Sequence, residues 1–209
     1  MTTTNTRRPG RPSGLQGTEL LATARALFLR RGFDRTTMND VAVKAGISKS
    51  SLYREHESKD ALFVAVVADW TQRGRDSMRP FLDELRETPD IELGLQEFAT
   101  VLLTALLSPE VADMRRLVAA EAKRFPHVAE LYLQTSWLAN IAALADTLSI
   151  TAEQGRLAID DAYIAAEQLV WLTVGPSLNA LTIAGQHHDT QNSPCVRPAV
   201  RTFIAQYGT

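Results

Sequence analysis

Residues 36–62 decide the fold, and they read TTMNDVAVKAGISKSSLYREHESKDAL. Thr37 and Asp40 have the spacing of a capping box, in which two residues cap each other at the start of a helix. Apolar residues then recur at helical spacing, at Met38, Val41, Ala42 and Ala45. Gly46 ends this helix, because glycine adopts the left-handed C-terminal conformation without steric cost. The stretch therefore predicts a short helix followed by a tight turn.

A second short helix follows the turn. Ser48 is its predicted N-cap, and Lys49–Arg54 form its body. Leu52 is its clear inward anchor, since the other side chains are Lys, Ser, Tyr and Arg. A helix this polar needs a partner other than its own core, and its width suits the DNA major groove. The two helices together predict a helix-turn-helix.

The order of residues here resembles the TetR family of bacterial repressors. The resemblance covers about residues 15–66, and its motifs are Ala45-Gly46-Ile47-Ser48-Lys49, Leu52-Tyr53 and Ser58-Lys59-Asp60-Ala61-Leu62-Phe63. It implies an all-α protein with an N-terminal three-helix DNA-binding head and a C-terminal helical bundle for ligand binding and dimerisation. It also implies double-stranded operator DNA as a partner and a homodimer. No cofactor is expected.

Three residues depart from the pattern of that family. Ser50 stands where the family commonly has Gly, Glu55 where it has Tyr or His, and His56 where it has Phe. Glu55 adds negative charge where the DNA duplex is negative. These departures leave two alternatives open. One is a protein-interaction module of the same fold that does not bind DNA, and the other is a small-molecule binding protein with weakened DNA reading.

Charge is distributed unevenly along the 209 residues, although the net charge is only −2. Residues 1–56 hold ten Lys and Arg and four Asp and Glu, ten minus four, or +6. The remaining residues hold twelve basic and twenty acidic side chains, or −8. Only the front of the chain is therefore attracted to a polyanion such as DNA.

Three regions are predicted along the chain. Residues 1–14 combine Thr, Arg, Pro and Gly and predict a disordered basic arm. Arg7, Arg8 and Arg11 lie there in a run similar to an AT-hook, and such arginines can enter a narrow minor groove. A basic tail without a groove is the alternative. Residues 15–62 are the predicted DNA-binding domain, and residues 63–209 the predicted ligand-binding and dimerisation domain.

The predicted DNA contacts form two groups. Those expected to face the major groove are Ser48, Lys49, Ser50, Ser51 and Arg54. Those expected to bind phosphates are Thr37, Tyr53 and Lys59. Lys59 is included because a lysine at a helix N-terminus forms a phosphate site. The alternatives are a core tyrosine with a solvated tip for Tyr53 and a solvated charge for Lys59.

Helical patterns continue to the end of the chain. The predicted helices besides the two above are Thr18–Arg31, Asp60 to about Phe81, Ile91–Leu107, Glu110–Arg124, Pro126–Leu148, Asp160–Ala184 with a bend at Gly175-Pro176, and Cys195–Tyr207. The runs Val118–Pro126 and Ala165–Leu169 resemble the C-terminal domain of AefR-like members of the same family. That resemblance implies a domain that binds a ligand and dimerises.

A pocket for a small hydrophobic effector and a dimer surface are expected in the back helices. The candidate effector-binding residues are Phe98, Leu102, Met114, Leu117, Phe125, Trp137, Gln168 and Trp171. The candidate dimer residues are Ala165, Leu169, Leu172, Leu178 and Phe203. Ordinary packing within one chain is the alternative for both sets. Two copies are expected because one short reading helix contacts few base pairs.

Neither an enzyme nor a metal site is indicated. The sequence has no Gly-rich phosphate loop and no Gly-x-Ser-x-Gly motif. His187, His188, Asp189 and Cys195 are close in sequence but lie in a run of turn residues. The single cysteine fits a reducing cytoplasm, no signal peptide is read, and polar residues interrupt the apolar run 162–185. We expect a cytoplasmic regulator without a membrane partner.

Overall fold

The computed structural model describes residues 15–185 and 195–209. Within these ranges the chain is helical, and its β structure is limited to an isolated antiparallel bridge between Leu157 and Gly208. The all-α prediction is therefore confirmed. The contacts of the chain divide it into two compact units that meet between Val66 and Val67. The predicted basic arm and the run His187, His188 and Asp189 lie outside the described residues.

Helices account for most of both described ranges. They are α1 (Gly17–Arg31), α2 (Met38–Ala45), α3 (Lys49–Glu55), α4 (Lys59–Glu87), α5 (Ile91–Leu106), α6 (Pro109–Glu121), α7 (Pro126–Tyr132), α8 (Ala139–Glu153), α9 (Ala162–Ala184) and α10 (Val196–Tyr207). A π-helical segment, Leu133–Leu138, joins α7 to α8. Of these described helices, none alone is long and apolar enough to cross a membrane. By length and composition, α5 and α6 pass that test only as a pair bent by 56°.

An aromatic core holds the first unit together. Gly32 ends α1 with φ 79°, and the ring of Phe33 then stacks on that of Phe28 in the last turn of that helix. The rings of Phe28, Phe33 and Phe63 lie 5.1, 5.4 and 5.7 Å apart, measured between centroids. All three side chains are buried, and burying one such ring contributes about 1.5–3 kcal/mol. The rings therefore tie α1 to the start of α4.

The core of the second unit lies among α5, α8, α9 and α10. Leu95 and Leu103 of α5, Leu148 of α8, Leu169 of α9 and Phe203 of α10 are fully or almost fully buried in it. Their burial follows the helical spacing of apolar residues along each helix. This core explains why the back half of the sequence reads as amphipathic helices throughout.

Helix α4 is longer than predicted. The sequence suggested an end near Phe81, but the helix runs to Glu87 with Pro80 inside it. Proline removes one helical hydrogen bond. The side chains of Met78, Leu82 and Leu85 on either side of it are buried, and their burial outweighs the missing bond.

The helix predicted over residues 126–148 is interrupted by the π-helical segment, and α8 then continues to Glu153. Side chains of α4 form hydrogen bonds with this π-helical segment. The Thr135 hydroxyl lies 2.9 Å from the Thr71 hydroxyl, and the Arg75 guanidinium donates to the Thr135 carbonyl. Apolar periodicity gave no sign of the segment, because these partners lie 64 and 60 residues earlier in the chain.

Two further boundaries differ slightly from the predictions. Helix α6 begins at Pro109, one residue before the predicted Glu110, and it ends before Arg124, at Glu121. Helix α9 is capped by Asp161, and it continues through Pro176 to Ala184. The predicted bend at Gly175-Pro176 therefore does not break the helix.

Candidate nucleic-acid interface

Helix α2 starts at the predicted capping box. The Thr37 hydroxyl accepts from the Asp40 N–H at 3.1 Å, and the Asp40 carboxylate accepts from the Thr37 N–H at 2.9 Å. The Thr37 hydroxyl also donates to that carboxylate at 2.7 Å, and Arg31 lies 3.3 Å from it. The hydrogen bonds of Thr37, and to a smaller extent Arg31, lower the pKa of Asp40. The negative charge that results lies at the positive end of the helix.

The turn between α2 and α3 forms as the sequence predicts. Gly46 adopts the left-handed conformation, with φ 68° and ψ 24°. The next amide, of Ile47, donates to the Ala42 carbonyl at 3.0 Å. Ser48 then caps α3, because its hydroxyl accepts from the Ser51 N–H at 3.0 Å. These local bonds set where the reading helix begins.

Helix α3 presents almost all of its side chains to solvent. Leu52 is its buried residue, as predicted. Lys49, Ser50, Tyr53 and Arg54 are exposed. Ser51 is partly buried. The other residues of α3 that were predicted to face the groove are therefore exposed, and the helix contributes only Leu52 to the core.

The three serines at the start of α3 form a hydroxyl cluster. The Ser48 hydroxyl lies 2.9 Å from the hydroxyl of Ser50 and 2.9 Å from that of Ser51. Serine hydroxyls both donate and accept, so they can exchange these bonds for bonds to base edges.

Lys59 has an internal role that the sequence did not reveal. Its ammonium donates to the Phe33 carbonyl at 2.9 Å and to the Asp34 carbonyl at 3.4 Å. It also lies 4.2 Å from the centroid of the Phe33 ring. Lys59 is therefore partly buried against the turn after α1 rather than a free solvated charge. The bond to Phe33 spans 26 residues of sequence, so no local motif could have signalled it.

The remaining predicted features of the interface have varied positions. Glu55 is exposed at the end of α3, and His56 is partly buried and caps the helix by donating its N–H to the Leu52 carbonyl at 2.8 Å. The predicted minor-groove residues Arg7, Arg8 and Arg11 lie outside the described residues.

The predicted effector-binding residues do not share one environment. The side chains of five are buried, namely Phe98, Leu102, Met114, Leu117 and Phe125. Trp137 is partly buried, and its ring centroid lies 5.2 Å from that of Trp171. Trp171 is half-exposed, and Gln168 is exposed and accepts from the Tyr207 hydroxyl at 2.8 Å. Their role in binding an effector stays a prediction.

The predicted dimer residues are mostly buried inside the chain itself. The side chains of Ala165, Leu169, Leu178 and Phe203 are buried, whereas Leu172 is exposed. A dimer surface needs exposed side chains, and the first four are instead packed within the chain, which is the alternative named above. They pack in the core of the second unit, because α9 carries apolar residues on its inner face as well as its outer face.

Two family profiles match this chain. The profile of the bacterial regulatory proteins of the tetR family matches residues 20–66. The profile of the AefR-like transcriptional repressor C-terminal domain matches residues 93–209. The first profile covers most of α1, all of α2 and α3, and the start of α4. The second profile covers more than half of the chain.

Characterised proteins and solved structures are similar over most of their length. The HTH-type transcriptional repressor KstR2 of Rhodococcus jostii is 29% identical over 198 residues, which is 84% of this chain and 89% of that protein. A TetR-family transcriptional regulator from Mesorhizobium loti has a TM-score of 0.88 at 27% identity, over 91% of this chain and 96% of that one. The flavonoid-responsive regulator FrrA has a TM-score of 0.69 at 25% identity, over 90% and 95% of the two chains.

Proposed function

Because the chain belongs to the TetR family of DNA-binding transcriptional regulators, we propose that it acts as a homodimeric repressor on a palindromic operator. In this proposal each copy reads one half-site with α3, and a small hydrophobic effector bound in the second unit alters the affinity for DNA. The protein acts in the cytoplasm. In the same proposal the DNA-binding part ends near residue 62, four residues before the division between the two compact units.

The exposure of α3 carries the DNA-reading part of the proposal. The helix buries Leu52 and exposes Lys49, Ser50 and Arg54. Lys and Arg recognise guanine edges in the major groove, and Ser can donate to or accept from several bases. A helix that contributes one side chain to the core but several donors to solvent is suited to bind a groove rather than to stabilise the fold.

Among the predicted phosphate contacts, the geometry favours Lys59 and Tyr53 over Thr37. A lysine ammonium has three donors, and Lys59 uses two on carbonyls, so one donor remains for a phosphate. Tyr53 is 48% exposed, which leaves its hydroxyl accessible. Both donors of Thr37, the N–H and the hydroxyl, are engaged by Asp40. Thr37 is therefore expected to add least to DNA affinity.

The outer face of α9 supports pairing of two copies. Ile164, Trp171, Leu172 and Ile183 are exposed to 50%, 50%, 41% and 77%. Trp171 and Leu172 follow Ile164 by seven and eight residues, and Ile183 follows Leu172 by eleven, so the four positions share one side of the helix. Two copies packed through this face would bury an apolar stripe and place two reading helices under twofold symmetry. Of the five dimer candidates named from the sequence, Leu172 alone belongs to this stripe.

The proposed effector binds among the buried apolar side chains of the second unit, such as Met114, Leu117 and Phe125. The name of FrrA describes that protein as flavonoid-responsive, which supports a small aromatic or otherwise hydrophobic molecule for this chain as well. An effector changes DNA affinity only through its preference for one of two shapes of the protein.

A genomic selection tests the central proposal. The purified full-length chain is mixed with fragments of its source genome at low ionic strength, and retained fragments are sequenced. We expect an inverted repeat with half-sites about one helical turn, or a multiple of it, apart. Gel-shift titrations should show affinity that falls steeply with salt. Retention of no fragment at low ionic strength would refute the proposal.

Variants then assign the contacts. Arg54→Ala should weaken binding to the selected site and reduce the salt slope by about one charge. Ser51→Ala should change which sequence is preferred. Arg197→Ala removes one exposed charge from α10, and it is the matched control that should leave both properties unchanged. Equal loss of affinity in Arg54→Ala and Arg197→Ala would exclude α3 as the reading helix.

A further inference from the structure

A polar cleft of about 400 Å³ lies in the second unit, lined by residues of α4 and α8. Helix α4 contributes Arg75, Arg79 and Arg86, which follow one another by four and seven residues and therefore lie on one side of the helix, and it also contributes Gln72, Asp76 and Asp83. Helix α8 contributes Asn140 and Asp146. This cleft contains none of the side chains predicted above to bind a hydrophobic effector, and its lining suits a different chemistry.

Arg79 is free to bind a ligand. Within the part of the chain that the structure describes, its guanidinium has no hydrogen bond and no ion pair. By contrast, Arg73 and Arg116 each bind an aspartate of their own helix at 2.9 and 2.8 Å. A guanidinium presents a planar fork of donors that matches the two oxygens of a carboxylate. The Arg79 guanidinium is therefore available in the cleft to donate hydrogen bonds to the carboxylate of a ligand.

Arg86 provides a second, independent indication. Its terminal nitrogens donate to Asp83 at 2.9 Å and to Thr147 at 3.4 Å. Its Nε is shielded from solvent and has no acceptor among the described residues. A buried N–H without an acceptor costs free energy, so native proteins usually supply one from the chain, a water or a ligand. An oxygen of a bound molecule in this cleft is suited to fill that place.

The α8 side of the cleft supplies two acceptors, an amide oxygen and a carboxylate. The Asn140 amide donates its N–H to the Ser136 carbonyl at 2.8 Å, which leaves its oxygen free to accept. The Asp146 carboxylate is exposed and has no partner within the described ranges. A molecule that binds both sides must therefore combine an anionic group with a donor.

We propose that this cleft binds a small carboxylate that also carries a hydroxyl or amine donor. The carboxylate lies on Arg79 and within reach of Arg86, and the donor faces Asn140 and Asp146. Leu82 and Ala143 line the same cleft and give it a partly apolar wall.

Binding here has a route to the rest of the second unit. Arg75 lines the cleft and also donates to the Thr135 carbonyl in the π-helical segment and to Gln72. A bound carboxylate competes for the N–H donors of Arg75 and so weakens the hydrogen bond between α4 and the π-helical segment. Any resulting effect on DNA affinity rests on the proposed function, whereas binding itself does not.

Titration of the full-length chain tests the site. The probes are L-lactate, L-malate and L-serine, with acetate as the carboxylate that lacks a donor, and binding is followed by saturation-transfer NMR. We expect at least one of the first three to bind ten times more tightly than acetate. Arg79→Gln should weaken that binding at least tenfold. Arg73→Gln, an exposed arginine of the same helix outside the cleft, should change it less than twofold.

Three results would overturn the proposal: no probe binds better than acetate, Arg79→Gln binds like the wild type, or both arginine variants lose binding equally. Asp146→Asn adds a selectivity test, since it should reduce the advantage of the donor-bearing probe over acetate. DNA affinity is measured separately on the selected operator. If the chain binds a probe but no operator DNA, the proposed function is refuted and the carboxylate site stands. If it binds operator DNA but no probe, the carboxylate site is refuted and the proposed function stands.

Discussion

Replacing Lys59 by methionine isolates the contribution of one ammonium to the first unit. The ammonium donates to the Phe33 and Asp34 carbonyls and lies over the Phe33 ring. Methionine keeps an unbranched apolar stem but removes the charge and all three donors. The variant therefore leaves the packing of the stem largely in place and removes the tie between the start of α4 and the turn after α1.

The magnitude follows from the geometry. A hydrogen bond from a charged group contributes about 1.5–3 kcal/mol, and a cation–π contact about 0.5–1 kcal/mol at an exposed site. The bond to Phe33, at 2.9 Å, is well formed, whereas the bond to Asp34 is long at 3.4 Å and solvent-exposed. Because Lys59 is only partly buried, we expect a net loss of about 2 kcal/mol, or about a 30-fold change in an opening equilibrium.

Hydrogen exchange is the suitable assay, because it reports opening of each unit separately. The tryptophans, Trp70, Trp137 and Trp171, lie after Val66, so their fluorescence does not report on the first unit. Peptides from α1 and the start of α4 should exchange about 30-fold faster in Lys59→Met. Lys44→Met is the control, since Lys44 is exposed and has no partner in the described chain. Exchange within twofold of that control would refute the structural role of Lys59.

Three further variants test other parts of the chain. Hydrogen bonds from Thr37, and to a smaller extent Arg31, lower the pKa of Asp40 in the folded chain below its ordinary value of 3.8. The carboxylate therefore stabilises the fold fully above pH 3.8, and this stabilisation is lost as the pH falls through the folded-state pKa. Over that acidic range the hydrogen-exchange protection of α2 should fall in the wild type but not in Asp40→Asn. Arg156→Gln removes two bonds of 2.5 Å to carbonyls at the end of α4, so urea unfolding followed by tryptophan fluorescence should show about 2 kcal/mol less stability, with Arg197→Gln unchanged. Leu172→Asp should give a monomeric mass in light scattering, whereas Leu93→Asp, at a somewhat more exposed position on α5, should leave a dimer; a dimer in both would exclude the α9 face.

The sequence predicted the parts of the fold that local bonds determine. The capping box at Thr37, the left-handed Gly46 and the N-cap Ser48 all depend on partners within four residues, and all three are confirmed. Such motifs satisfy backbone groups at helix ends whatever the rest of the chain does. The helix-turn-helix could therefore be located to within a residue.

Features that depend on distant partners were missed. Lys59 binds carbonyls 25 and 26 residues away, and Arg75 binds a carbonyl 60 residues away in the π-helical segment. Neither partner leaves a trace in local periodicity. The burial of four dimer candidates was missed for another reason. Helix α9 is apolar on nearly all sides, so composition alone does not separate the face that packs inward at Leu169 from the face that is exposed at Leu172.

These internal bonds change how substitutions in the reading head should be interpreted. Thr37, Ser48 and Lys59 are predicted DNA contacts, and each also holds the first unit together through its own hydrogen bonds. A loss of DNA affinity after substitution at these positions can therefore come from a lost DNA contact and from lower stability of the first unit. Hydrogen exchange measures that stability and so separates the two effects. Lys49 and Arg54 are exposed and have no partner in the described chain, so their substitution removes a positive charge without removing a hydrogen bond within the first unit. Affinity lost at those two residues, with unchanged exchange in α1, is direct evidence that α3 lies against the duplex.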